Sequence, residues 1–190
     1  MDDSQSSAPP PSLKRWISVV GSKEAKKDRL EGPNIIGEIA GLVFISSLLW
    51  FFVAHKLEDT GFYTDEFGTL EMTMLFSAGG FAVLLAALRI MIRRRNLLRP
   101  LDVASFLLFA IAHAVLLARF PFDFEYVADA LPSFLQWTVG WMNDTVGAII
   151  LALGIVGGIV GAIVTLLTYL GVREELRSSA EQQSQPPIVD

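Results

Sequence analysis

The chain has 190 residues, 52% of them hydrophobic and 18% charged, with a formal net charge of −5 and a mean hydropathy of +0.48. A soluble domain ordinarily carries about 25% charged residues, and the long uncharged runs here place the chain in the membrane class. Cysteine is absent, which excludes a disulfide framework, a thiolate metal site and a cysteine nucleophile.

Residues 1–12 are polar and proline-rich and are expected to be a disordered tail. Residues 13–31 form a basic amphipathic juxtamembrane segment. In it Leu13, Trp16, Ile17 and Val20 share one helix face, and Ser12 stands where an N-cap would. Lys14, Arg15, Lys23, Lys26, Lys27 and Arg29 suit a helix lying on an anionic membrane surface, or else a solvated tail. The first apolar run begins only at Ile35, so a cleaved signal peptide is not expected.

A transmembrane domain over 32–172 follows, with spans predicted at 35–54, 72–92, 101–118 and 145–170. Gly32-Pro33-Asn34 breaks the chain before the first span, with Asn34 as its expected cap. Glu38 sits one turn inside, where the helix dipole favours an anion. It reads as an interfacial acid, with a proton-carrying carboxylate as the sharper alternative. Gly37 and Gly41 give this span a G-x-x-x-G spacing, which lets another helix backbone approach closely in lipid. The next loop carries Glu58, Asp59, Asp65 and Glu66, without the EF-hand pattern.

The second span has Gly79, Ala82 and Ala86 on one side and ends in Arg93-Arg94-Arg95, with Arg89 able to snorkel to the same interface. Pro100 is expected to separate that turn from the third span. In the third span Ala110, Ala114 and Ala118 repeat at i, i+4, i+8, and His113 lies beside them. The connection from Arg119 to Asp144 is both aromatic and acidic, so one or two short helices, broken at Pro132, are expected against the membrane.

The fourth span runs uncharged from Thr145 to Leu170. Gly147, Gly154, Gly158, Gly161 and Thr165 fall in one stripe, with Gly157 and Thr168 at its edge. Gly154/Gly158 and Gly157/Gly161 are again G-x-x-x-G pairs. The segment 173–190 is expected to be a disordered polar tail.

Four spans put both termini on one side of the membrane. Of the 15 basic residues, all but Lys56 and Arg119 then fall on that side, so the positive-inside rule makes both termini cytoplasmic.

The fold class expected is all-α, an integral membrane four-helix bundle with short interfacial helices, packed through Gly37, Gly41, Gly79, Ala110, Ala114 and the fourth-span glycines. His113 and Glu38 are the candidate intramembrane functional residues, since an ionisable group within a span is a functional suspect. His113 is expected to be a neutral imidazole bonded to Ser or Thr on a neighbouring helix. With His55 it is the residue from which a bis-histidine haem site would be built. No H-E-x-x-H, G-x-S-x-G or G-x-x-x-x-G-K motif is present, and the reading is no enzyme, no catalytic or metal residue and no cofactor. The expected partners are the lipid bilayer and other membrane subunits or a second copy, with no nucleic acid. The role expected is a non-catalytic structural or assembly subunit of a cell membrane or viral envelope. A small ion or solute transporter and a haem-binding electron-transfer subunit are the alternatives.

Overall fold

Each long apolar run becomes one helix in the computed structural model of the protein, which describes residues 13–28, 30 and 32–183. The expected disordered tail at 1–12 and the terminal residues 184–190 lie outside the described residues. The helices are α1 (Leu13–Ala25), α2 (Pro33–Glu58), α3 (Thr69–Ile92), α4 (Arg95–Arg119) and α5 (Asp144–Gln183). All but α1 are long and apolar enough to cross a membrane. The protein is therefore an all-α, four-span membrane protein with the up-and-down order of a four-helix bundle.

Helix ends differ from expectation at several places, and three have a clear local reason. Pro33, not Asn34, starts α2: proline at the first helical position has its φ preset and lacks an N–H that would have no partner there. Pro100 lies inside α4 instead of in front of it. So near the start of a helix it removes only one ladder bond, that to the Asn96 carbonyl. The largest difference is at the C-terminus, where the expected tail from Arg173 instead continues α5 to Gln183. That stretch has no glycine or proline, is rich in Glu, Arg, Ala and Gln, which favour helix, and carries an Arg177–Glu181 pair at 3.1 Å across one turn. At 40 residues, α5 is about 60 Å long, twice a hydrocarbon core of about 30 Å.

The four spans pack in chain order: α2 on α3, α3 on α4, and α4 most extensively on α5. Among the described residues, α2 and α5 make no extended contact, so the row stays open at α2. The helix α1 packs on neither lipid nor solvent alone but on α5, its Ile17 and Gly21 seated at Gly171. A β-carbon at Gly21 would lie 2.5 Å from the Gly171 carbonyl, so two facing glycines are what let the backbones meet. Glu24 of α1 pairs with Arg99 of α4 at 2.8 Å. Asp28 then accepts from the Asn96 N–H at 2.9 Å.

At the opposite face two loops close over the bundle. Asp123 N–H donates to the Phe62 carbonyl at 2.8 Å and Thr64 N–H to the Pro121 carbonyl at 3.1 Å. These bonds flank an antiparallel bridge between Tyr63 and Phe122. Phe62, Phe122, Phe124, Val127, Leu116 and Leu151 form the buried core of this cap. Phe62 touches Phe122 and Phe124 at ring separations of 5.2 and 5.5 Å. Two short 3-10 turns, Phe124–Tyr126 and Gln136–Thr138, lie on either side of Pro132.

Candidate functional site

Three charged residues borne by the spanning helices are gathered into one cluster at the termini end of the spans. Glu38 comes from the second turn of α2, Arg89 from the last turn of α3 and Asp102 from the second turn of α4. Arg89 Nη1 donates to Glu38 Oε2 at 2.9 Å, and Nη2 donates to Asp102 Oδ1 at 2.7 Å. One guanidinium thus braces three helices, using the fork geometry that lysine lacks. Its Nε is buried without a partner. Glu38 was expected at an interface and Arg89 was expected to snorkel; the structure joins them. Asp102 was missed, although a lone acid at the same depth as Arg89 on the next span was a usable signal.

His113 sits on the α4 face that meets α5. Its Nδ1 donates to the Phe109 carbonyl at 2.8 Å, in its own helix and not on a Ser or Thr of a neighbour as expected. The reason is spacing: residue i−4 lies directly below, and the ring also packs on Phe109 at 3.9 Å. The other edge of the imidazole fills the notch at Gly154, where a β-carbon would lie 2.1 Å from Cδ2.

His55 belongs to the aromatic cap and is only 1% exposed. Nε2 donates to the Val127 carbonyl at 3.1 Å and Nδ1 faces Thr60 Oγ1 at 2.6 Å. A carbonyl can only accept, so Nε2 carries a proton, and Nδ1 is engaged by the threonine hydroxyl. Both nitrogens are engaged, and the ring packs at a tilt on Phe62 with centroids 4.4 Å apart. No lone pair remains for an axial bond, so the haem reading loses one of its two ligands. No group of three or more His, Asp or Glu suited to a metal ion occurs among the described residues.

Two acids at the starts of α3 and α5 cap backbone groups of the same face. Glu71 is buried and accepts from the Gly68 N–H at 3.1 Å, at the start of α3. Asp144 accepts from the Phe124 N–H at 3.1 Å. Tyr63 donates its hydroxyl to the Phe52 carbonyl at 2.8 Å, and burial pushes its phenol well above the usual tyrosine range. Lys56 lies over the Tyr63 and Phe67 rings at 5.9 and 5.7 Å.

The packing residues divide into two sets. Gly147 faces the Phe124 ring, Gly154 faces His113, Gly158 faces Ala110 and the Phe106 carbonyl, and Gly161 faces the Phe106 ring. Gly79 faces Leu49. By contrast a β-carbon at Gly37, Gly41 or Gly157 would meet nothing within 4 Å. Ala110 is buried but Ala114 and Ala118 are exposed, because α4 is held between α3 and α5 and turns its third side outward. Of the residues through which the bundle was expected to pack, Gly37 and Gly41 therefore meet no partner among the described residues, and α2 and α5 stand at opposite ends of the row.

Comparison with known protein families, with curated proteins and with solved structures finds no match for this chain.

Proposed function

We propose that the protein is a non-catalytic assembly subunit of a membrane complex, joined to a second copy or another membrane protein through α2, with both termini cytoplasmic. The observation that carries this is the state of α2. No residue in its most apolar window is buried, and Gly37 and Gly41 keep an open notch on it. Small residues one turn apart allow backbone-to-backbone approach, which is the main source of helix association where lipid is as apolar as the side chains. The polar groups of the spans are meanwhile spent on holding the fold. Glu38 and Asp102 are both held by the Arg89 guanidinium, and His113 is pinned between Phe109 and Gly154. That leaves an assembly role better supported than a transport file or a catalytic centre. The cell membrane and a viral envelope both suit such a subunit.

Gly41→Ile tests the proposal, because among the described residues nothing lies within 4 Å of a β-carbon at that position. The variant is expected to lose the partner during purification while its unfolding temperature in detergent stays at the parental value. Association that is indifferent to Gly41→Ile would remove α2 from the interface.

A further inference from the structure

Beyond the assembly role, the termini end of the bundle carries a cleft with the chemistry of a lipid headgroup site. It has a volume of about 760 Å³ and lies between the linker after α1 and the α3–α4 turn, lined by Leu30, Gly32, Ile35, Ile92, Arg93 and Arg94 together with Asp28. We propose that this cleft binds the phosphodiester of an anionic phospholipid, with its acyl chain running down along Ile35 and Ile92.

Three observations converge on it. The first is charge. Arg89 and Arg99 are each paired with carboxylates, whereas Arg93 and Arg94 are exposed and their guanidinium groups make no hydrogen bond or ion pair among the described residues. The carboxylate among the described lining residues, Asp28, has its Oδ1 held by the Asn96 N–H at 2.9 Å. Two guanidinium groups lining one cleft, without a partner among the described residues, are suited to recognition of a phosphate.

The second is depth. Ile92 is the last residue of α3 and Ile35 lies in the first turn of α2, so the apolar wall begins where the hydrocarbon ends and the basic rim stands just outside it. Basic recesses between spans at this level bind anionic headgroups. A soluble phosphate would use the rim alone and have no need of the isoleucines.

The third is preformation. Leu30 N–H donates to the Arg93 carbonyl at 3.0 Å and Arg95 N–H to the Asp28 carbonyl at 2.9 Å. Those bonds tie the two walls together before any ligand arrives.

The test uses the full chain in phosphatidylcholine nanodiscs with and without phosphatidylglycerol, counting retained lipid by native mass spectrometry and following thermal unfolding. Phosphatidylglycerol is expected to be retained and to raise the unfolding temperature. Arg93→Gln/Arg94→Gln should weaken that retention on the order of tenfold while unfolding at the parental temperature in phosphatidylcholine alone. Arg94→Gln alone should act in the same direction and serves if the double variant does not fold. Arg173→Gln/Arg177→Gln removes the same charge from the same end outside the cleft and should retain the lipid. Equal retention in parent and cleft variants, equal loss in the control, or displacement of the lipid by millimolar inorganic phosphate would each overturn the assignment.

Discussion

Arg89 shows how one side chain decides a membrane fold. It reaches two carboxylates on two other helices with side chains only 14% and 17% exposed, and each partner alone would be an uncompensated charge close to lipid. Breaking a fully buried pair costs roughly 3–5 kcal/mol and an exposed helix pair about 0.3–0.5 kcal/mol, and this part-buried cluster falls between the two. Arg89→Gln is therefore expected to lower the unfolding temperature in detergent sharply, and Arg177→Gln, whose pair is 82% and 69% exposed, hardly at all. His113 and Gly154 make a second test. Gly154→Ala forces a β-carbon into the imidazole and should cost about 1–3 kcal/mol. The same change in a His113→Ala background should cost little, a coupling that a double-mutant cycle reads directly, and Gly157→Ala should be silent in both. Tyr63 supplies the pH dependence. Its folded-state acidity is weakened by burial, so the stability it contributes is whole below the unfolded value of about 10 and is lost as pH rises through the higher folded value. Tyr63→Phe removes this alkaline slope along with the bond to Phe52, as seen by unfolding measured between neutral and alkaline pH. Glu38 and Arg89 were each visible as charges near the ends of predicted spans, but charge position along a helix does not say which neighbour turns toward it. Their pairing, and the whole role of Asp102, needed the packing order.

At the scale of elements, hydropathy alone located all four spans, because a bilayer-length apolar run admits almost no structure but a helix. What it could not tell was where helices stop once outside the apolar run. The extension of α5 to Gln183 depends on ordinary helix formers, which read equally well as a polar tail. The same limit hid the docking of α1: its apolar face suits a membrane surface and a protein surface alike. The deciding feature is the meeting of Gly21 and Gly171, two residues far apart in sequence and unremarked alone. Gly21→Leu should therefore detach α1, exposing it to protease and to rapid amide exchange, while α2 to α5 keep their protection. Protection of α1 unchanged in Gly21→Leu would mean that the Glu24–Arg99 pair holds it unaided. The Arg119–Asp144 connection does form two short helical turns on either side of Pro132, but its joining with the 55–70 loop into a lid that buries His55 rests on the pairing of residues 62–64 with 121–123, which no local pattern announces.

The whole molecule is an open row of spans stapled at both ends, by the aromatic cap at one and by α1, Asp28 and the Arg89 cluster at the other. The staples explain how a row without contact between α2 and α5 holds together. They also leave α2 presenting Ile36, Val43, Phe44 and Trp50, each at least 60% exposed, beside its glycine notch. In a membrane that face meets either lipid or another helix, and the notch at Gly37 and Gly41 favours the helix. The most direct measurement is the mass of the native protein extracted in mild detergent and freed of lipid contribution by light scattering. The assembly account predicts a particle of at least two chains, either two copies or this chain with a co-purifying membrane partner. A stable particle of one 20.8 kDa chain with nothing bound to it would contradict the account.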